Sequence, residues 1–453
     1  MQQPRAAIAS RTHIDLSCKA CNSRVVVRPA SSLAVLLLLL SVALRPSTTR
    51  ASAESTARYV VVLNDRAGDP ATAAAEQSAR YGLQVGHVYR AALRGYSAVV
   101  PDQNLERLEG DPAVAFVEPD KPAEVLARPG GPPQTLPTGI DRIDGDLSSA
   151  KSGDGAGSVS TPIAIIDTGS GPHPDLNVVG GTSCVGGNSR DGNGHGTHVA
   201  GIAAAKDDGV GVVGVAPGAP IYSVRVLDSH GSGTLSTVIC GIDWVTANAA
   251  VTGIKVANMS LRFQNSADDG NCGHTNNDAL HVAICNSVVK GITYVVGAGN
   301  ESNDFATNVP AAYDEVLTVT AIADFDGRPG GTASPTCRTD VDDTFADFSS
   351  FAVSTSDIAH TIAAPGVCIY STWPGGGYAT LSGTSMASPH VAGLVALCLA
   401  SGRCSGTPAD IIQQVRTAAS SQSTFVPSFG FAGDPNSPWP GAYFGYLAYA
   451  AGF

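Results

Sequence analysis

Charge is scarce in this chain: Asp, Glu, Lys and Arg make up 15% of its 453 residues, against 43% hydrophobic. That balance excludes a disordered or coiled-coil protein, since both need far more charge relative to apolar content. Basic residues are the scarcer sign. With 27 Lys and Arg against 39 Asp and Glu, the formal net charge is −12, which argues against a nucleic-acid-binding surface, because that needs a basic patch to displace phosphate counterions. Long apolar runs are missing too. The longest, residues 33–44 (LAVLLLLLSVAL), falls short of the about 20 residues that a membrane-spanning helix requires, so no stable membrane anchor is expected. No segment repeats. A chain of this length is expected to form two or three folding units, each able to bury a core.

What is present begins with a basic front end. Residues 1–53 hold seven Lys and Arg and one acid, a local charge of +6 that leaves −18 for the remainder. Arg24 and Arg28 precede the apolar run, and Ala51-Ser52-Ala53 offers a small-x-small cleavage site, the pattern of a secretory signal peptide over 1–53. The stretch before the run is unusually long, consistent with a mis-set start codon or an organellar element. Cys18 and Cys21 form a C-x-x-C there, without the βαβ surroundings of a redox motif, and are expected to leave with the leader. Export to an oxidising compartment suits the other eight cysteines, an even number that predicts up to four disulfides. Short loops favour Cys398–Cys404 and Cys272–Cys285. Cys337–Cys368 and Cys184–Cys240 would then follow, with some thiols left free and buried as the alternative.

Residues 57–125 carry a strand at 59–63 (YVVVL), a helix over 70–81, strands near 96–99 and 114–117, a helix at 103–109 and room for one more strand before Tyr96. This predicts a small α+β module of the split βαβ type. Residues 121–137, rich in Pro and Gly and without periodicity, read as an exposed linker. Beyond it, continuous apolar runs at 163–166, 221–226, 256–259, 293–296 and 316–322 alternate with helical stretches near 198–205, 235–247 and 279–290. Such alternation predicts an α/β fold with a doubly wound, mostly parallel sheet. Residues 264–277 and 324–347 read as polar surface loops. The tail 439–453 carries six aromatics, which suits packing against the main domain better than an exposed interaction segment.

Three motifs carry chemistry. Ile163-Ala-Ile-Ile-Asp167-Thr-Gly169 is a buried strand ending in a carboxylate, where open parallel sheets place their sites. Asp191-Gly-Asn-Gly-His195-Gly-Thr-His198 brings a histidine to a helix start. Gly383-Thr-Ser385-Met-Ala-Ser-Pro-His390 does the same for a serine. A serine hydroxyl becomes a useful nucleophile only when an imidazole takes its proton and a carboxylate orients that imidazole. Asp167, His195 and Ser385 supply the set. Asn300, just past the strand end Val295-Val-Gly-Ala-Gly-Asn300, is the candidate donor to an oxyanion, with the backbone N–H of Ser385. His198, His390 and His173 read as structural histidines. His195-x-x-His198 lacks the further ligands a zinc site needs.

In their order and spacing these motifs resemble the subtilase family of serine proteases over roughly residues 133–422, and the 57–125 module resembles that family's inhibitory propeptide. The resemblance implies a subtilisin-like fold for 133–453, a linker with a maturation site at 126–132, and cleavage near 124–134. It also implies substrate contacts: Ser260 and Leu261 on one wall of the main specificity pocket, Gly297, Ala298 and Gly299 on the facing wall, and Gly231, Ser232 and Gly233 as the segment that pairs with extended peptide. Arg262 departs from the family, where Gly usually follows Ser-Leu; it would narrow the pocket mouth, favour acidic residues nearby or stay solvated. The loop 204–217 resembles a family calcium loop. It implies ligands from the side chains of Gln134, Asp175 and Asp208 and the carbonyls of Lys206, Val210 and Val212, with a role in stability.

The expected protein is therefore a secreted, monomeric serine endopeptidase, made as a self-processing zymogen and acting on polypeptides through an acyl-enzyme on Ser385. It needs no cofactor for the chemistry, and its own propeptide serves as chaperone and inhibitor. A vacuolar or lytic compartment fits the leader equally. A narrow processing protease or exopeptidase of the same clan is one rival; a self-cleaved binding protein that keeps its propeptide is another.

Overall fold

The computed structural model describes residues 55–125, 128–129 and 137–453. The leader with Cys18 and Cys21, most of the residues following Ala127 up to Thr138, and Gln134 lie outside the described residues.

The first module is a four-stranded antiparallel sheet in the order Gln84–Tyr89, Gly95–Pro101, Thr56–Leu63, Val114–Pro119. Its helix Pro70–Tyr81 starts where Asp69 accepts from the N–H groups of Ala71 and Thr72 at 3.0 and 3.1 Å, and ends at Gly82. Alternation along a strand sends Val61 and Leu63 into the module's own core with Ala73, Ala74 and Tyr96. Val60 and Val62 point the other way and join the core of the second domain with Tyr89 and Leu93. Both faces of this strand are buried, which is why its sequence is an unbroken apolar run rather than an alternating one.

The second domain is built on an eight-stranded sheet, in which Thr344–Phe345, Leu317–Ala323, Thr293–Gly297, Val256–Met259, Ile163–Asp167, Ile221–Arg225 and Val178–Ser183 follow in order, with Thr361–Pro365 paired to Leu317–Ala323. Every pairing is parallel except that of Thr344–Phe345. Helices His195–Ala204 and Thr384–Ala400 belong to one layer of core, and Leu235–Thr252 and Ala279–Val288 to the other. The chain winds from Ile163–Asp167 outward in one direction, then returns to Val256–Met259 on its other side. Those two strands flank the switch point where such sheets hold their sites. Leu235–Thr252 is the one described helix long and apolar enough to span a membrane, yet it lies largely buried in this core.

All four disulfides pair as the spacing favoured: Cys184–Cys240, Cys272–Cys285, Cys337–Cys368 and Cys398–Cys404. The tail packs, burying Phe444, Leu447 and Phe453 and bridging Ala363 through Leu447. Two expectations are corrected. The segment read as an exposed linker contains the strands Pro122–Val125 and Arg128–Pro129, and Ala123 is buried; main-chain pairing holds them, which leaves no periodicity in the side chains. The 324–347 segment is more than a surface loop. Its Asp324 and Asp343 are buried against Arg142 at 3.1 and 2.7 Å, and burial pushes the Asp324 carboxyl up to about 8.

Candidate active site

Asp167 ends its strand fully buried, and its Oδ1 accepts from Thr168 N–H at 2.7 Å and from His195 Nδ1 at 2.7 Å. A carboxylate on Nδ1 holds the proton there, so Nε2 is left as the acceptor. That Nε2 has no hydrogen-bond partner among the described residues. The histidine is delivered by a loop that needs glycine twice. Gly194 has a φ of 117°, and a Cβ there would strike the Trp373 ring; a Cβ on Gly196 would strike the Gly169 carbonyl.

The loop's organiser is Asp191, whose role sequence reasoning missed. Its Oδ1 accepts from Thr168 Oγ1 at 2.9 Å and from the N–H groups of Asn193 and Gly194 at 2.8 Å, while Oδ2 accepts from Thr197 N and Oγ1 at 2.8 and 2.6 Å. The Asp-x-Asn turn signal just ahead of the histidine was the available clue.

Ser385 is buried in the first turn of the helix Thr384–Ala400, and its Oγ donates to the Ser260 carbonyl at 3.4 Å. Ser260 returns the contact, its Oγ donating to the Ser385 carbonyl at 3.0 Å, and Asn258 and Ser388 extend this network behind the helix. Asn300 follows the strand Thr293–Gly297. Its Oδ1 accepts from Thr384 N and Oγ1 at 2.9 and 3.1 Å, and Thr384 Oγ1 accepts from Gly299 N–H at 3.1 Å. Anchoring the oxygen fixes the orientation of the whole amide and turns its N–H end away from Thr384. Thr384 is thus a second residue that the motifs did not single out.

The chain itself lies across this region. Pro122–Val125 forms the middle strand between Ser232–Thr234 and Leu261–Gln264, pairing Gly233 with Ala123, Ser232 with Glu124, Arg262 with Glu124 and Leu261 with Val125. Farther on, Arg128 pairs with Ser382 and Pro129 with Leu381, on the strand that leads into the Ser385 helix. Gly231 closes the turn before this edge, with a φ of 76° and its N–H donating to Asp228 O at 3.1 Å. On the facing side, Ala298 N–H donates to Val319 O at 2.9 Å. Arg262 is ion-paired with Glu301 at 2.7 Å, and Glu301 Oε2 also accepts from Asn300 N–H at 3.0 Å. The arginine therefore links the strand Leu261–Gln264 to the Asn300 segment, and its charge is matched by Glu301.

Carboxylates fasten the first module to the second, two of them at helix starts and Asp243 from midway along Leu235–Thr252. Asp120 accepts from Ser236 N and Oγ at 2.7 and 2.6 Å, Glu118 accepts from Ala279 N–H at 2.6 Å, and Asp243 accepts from Ala91 and Ala92 N–H at 2.6 and 2.7 Å. Burial, with Asp278 nearby, pushes the Glu118 carboxyl up to about 7.

The remaining histidines are structural in their surroundings. His198 Nε2 faces the carbonyls of Ile369 and Ala379 at 3.1 and 3.0 Å, and His390 Nδ1 faces Met386 O at 2.8 Å. Burial lowers them to about 3 and about 4. His173 Nε2 donates to Gly377 O at 2.8 Å. Asp175, buried in the turn after the Asp167 strand, meets the loop that follows the His195 helix; its Oδ2 accepts from Val212 N–H at 3.0 Å and Tyr378 OH at 3.2 Å. Burial, and to a lesser degree Asp208, raises the Asp175 carboxyl.

Comparison with known proteins agrees with this geometry. Residues 159–432 match the subtilase family of peptidases and residues 58–125 match the peptidase inhibitor I9 family. The chain is 41% identical to subtilisin DY of Bacillus licheniformis over 64% of this chain and 92% of that protein. It is 36% identical to subtilisin E of Bacillus subtilis over 73% of this chain and 75% of that protein. Among solved structures, a cold adapted subtilisin-like serine proteinase superposes with a TM-score of 0.51 at 28% identity, covering 70% of this chain and 99% of the other. The chain belongs to the subtilase family and is a serine endopeptidase made as a zymogen with an N-terminal inhibitory propeptide.

Proposed function

We propose that Ser385 is the nucleophile of this endopeptidase, His195 its general base and then acid, and Asp167 the group that orients the imidazole. Substrate enters as an added strand between Ser232–Thr234 and Leu261–Gln264. Ser385 Oγ attacks the scissile carbonyl as its proton passes to His195 Nε2. The oxyanion receives hydrogen bonds from Asn300 Nδ2 and Ser385 N–H, and collapse expels the amine with the proton from His195. Water then attacks the acyl-enzyme by the same proton path, releasing the acid and restoring Ser385. The observation that carries this reading is the chain's own strand Pro122–Val125, seated as an extended peptide between Leu261 and Ser232.

The same pairings support a maturation cut between Val125, which pairs with Leu261, and Arg128, which pairs with Ser382 on the strand leading into the Ser385 helix. With the leader directing export, protein recovered from culture medium should begin at a residue between Leu126 and Arg128 by N-terminal sequencing. A mature start beyond Thr138 would refute this register.

Calcium is proposed as a structural cation on the 205–214 loop, away from the chemistry. Asp175 supports it: burial raises this carboxyl and the Asp208 charge adds to that, a penalty that a hard cation would relieve. The carbonyls of Lys206, Val210 and Val212 and the side chain of Gln134 complete the proposed set. Chelation should lower the melting temperature of the Ser385→Ala precursor by about 5–10 °C, and Asp208→Ala should abolish that difference. Identical melting with and without chelator would remove calcium from the account.

A further inference from the structure

We propose that His360, Asp314 and Asp357 form a binding site for a divalent transition-metal ion, with zinc as the probe. The three lie at the edge of the sheet opposite the catalytic groups. Asp167, Ser260 and Asn300 follow the carboxyl ends of their strands, whereas Asp314 and His360 precede the amino ends of Leu317–Ala323 and Thr361–Pro365, which pair in parallel from Thr318 and Thr361 onward. This site is therefore separate from the proteolytic one.

His360 is 3% exposed, and neither ring nitrogen has a hydrogen-bond partner among the described residues. Such a histidine would ordinarily have been paired, because a buried polar nitrogen without a partner is costly. Its Nε2 points between two carboxylates, 3.8 Å from Asp314 Oδ1 and 3.8 Å from Asp357 Oδ1. Those distances are too long for hydrogen bonds. The ligand atoms of all three residues fall within 4.8 Å of one another. A tetrahedral ion with bonds of about 2.0–2.2 Å separates its ligands by roughly 3.4 Å, so a modest contraction seats the ion.

The surroundings position the ligands. Ser354 Oγ donates to Asp357 Oδ2 at 2.7 Å, which leaves Oδ1 for the histidine, and the Phe305 ring packs against His360 at 6.0 Å between centroids. A pocket of about 340 Å³ lined by Asp314, Glu315, His360, Ile412 and Gln413 opens over the site. It supplies an entry path and room for water as a further ligand. One imidazole with two carboxylates is a borderline N/O donor set, suited to zinc, cobalt or nickel. Bound there, the ion would clamp the short helix Thr355–Ala359 to the segment before Leu317–Ala323.

The test uses the secreted Ser385→Ala precursor, stripped with chelator, returned to calcium buffer and titrated with zinc by calorimetry, with cobalt absorption in parallel. One zinc per chain and visible cobalt bands are expected. Asp314→Asn should weaken zinc binding by about tenfold or more and remove the cobalt bands. His360→Gln should do the same; if it fails to fold, Asp314→Asn decides alone, because Asp314 is half-exposed and its amide should not disturb the core. His230→Gln, which removes an exposed histidine near Asp228, should leave binding unchanged. No zinc uptake at micromolar concentration, equal binding by parent and Asp314→Asn, or loss of binding in His230→Gln alone would each overturn the proposal.

Discussion

Ser385→Ala is expected to yield an exported chain that retains residues 57–125 and loses casein hydrolysis by a factor on the order of 10⁶ in kcat, the size known for losing the serine or histidine in subtilisin itself. Without the hydroxyl, the lone pair of His195 Nε2 has no proton to take and no acyl-enzyme forms. Only binding and the oxyanion donors would remain, and they supply a small residue of catalysis. The fold should be untouched, because the lost Oγ makes only a 3.4 Å contact to the Ser260 carbonyl, a weak bond at that length. The melting temperature should therefore match that of unprocessed parent. Intact mass and casein hydrolysis on protein from the medium check both halves. A mutant processed like the parent would mean that another group cuts the chain. A parent that cuts itself, keeps the propeptide and digests nothing would favour a binding protein instead.

What could be read from the residues, and what could not, divides by range of interaction. Asp167, His195 and Ser385 each sit in a short motif whose local structure, a strand end or a helix start, is dictated by neighbours within a few residues. The same holds for the helix Pro70–Tyr81, which carries its Asp69 cap and its Gly82 stop beside it. The doubly wound, mostly parallel sheet followed from apolar runs alternating with helices, and the disulfide pairing from loop length. Asp191, whose partners lie mostly in its own loop, was missed despite its local signal; the other failures involve partners distant in the chain. Asp120 caps a helix that begins more than a hundred residues later, and Glu118 reaches Ala279; nothing near either acid predicts its partner. Arg142, buried with Asp324 and Asp343, turns a polar loop into part of the interior. Pro122–Val125 is held by main-chain bonds, to which side-chain patterns are blind, and it is the segment on which the proposed path of substrate rests. Arg262 falls between these cases. Its departure from the family was visible, but its pairing with Glu301 across the pocket was not.

Asn300→Ala should lower kcat by about 10²–10³, the range for one oxyanion donor in subtilisin, with little change in KM. The split follows from when the bond is made: the ground-state carbonyl gains little from Nδ2, while the tetrahedral intermediate carries a full negative charge in a site closed to water. Geometry adds a second, smaller expectation. The Asn300 amide is oriented through Oδ1, which Thr384 holds by both N–H and hydroxyl, and Thr384 in turn receives the Gly299 N–H. Thr384→Val keeps the backbone donor and removes the hydroxyl, so the amide should loosen rather than vanish. A loss in kcat of about tenfold is expected, well below that of Asn300→Ala. Because both changes act through one donor, they should not be additive: Asn300→Ala with Thr384→Val should be no slower than Asn300→Ala alone. Steady-state kinetics on a peptide anilide for the four proteins completes the cycle. Additive losses would show that Thr384 acts elsewhere, and a rise in KM in place of the fall in kcat would move Asn300 from the oxyanion to substrate binding.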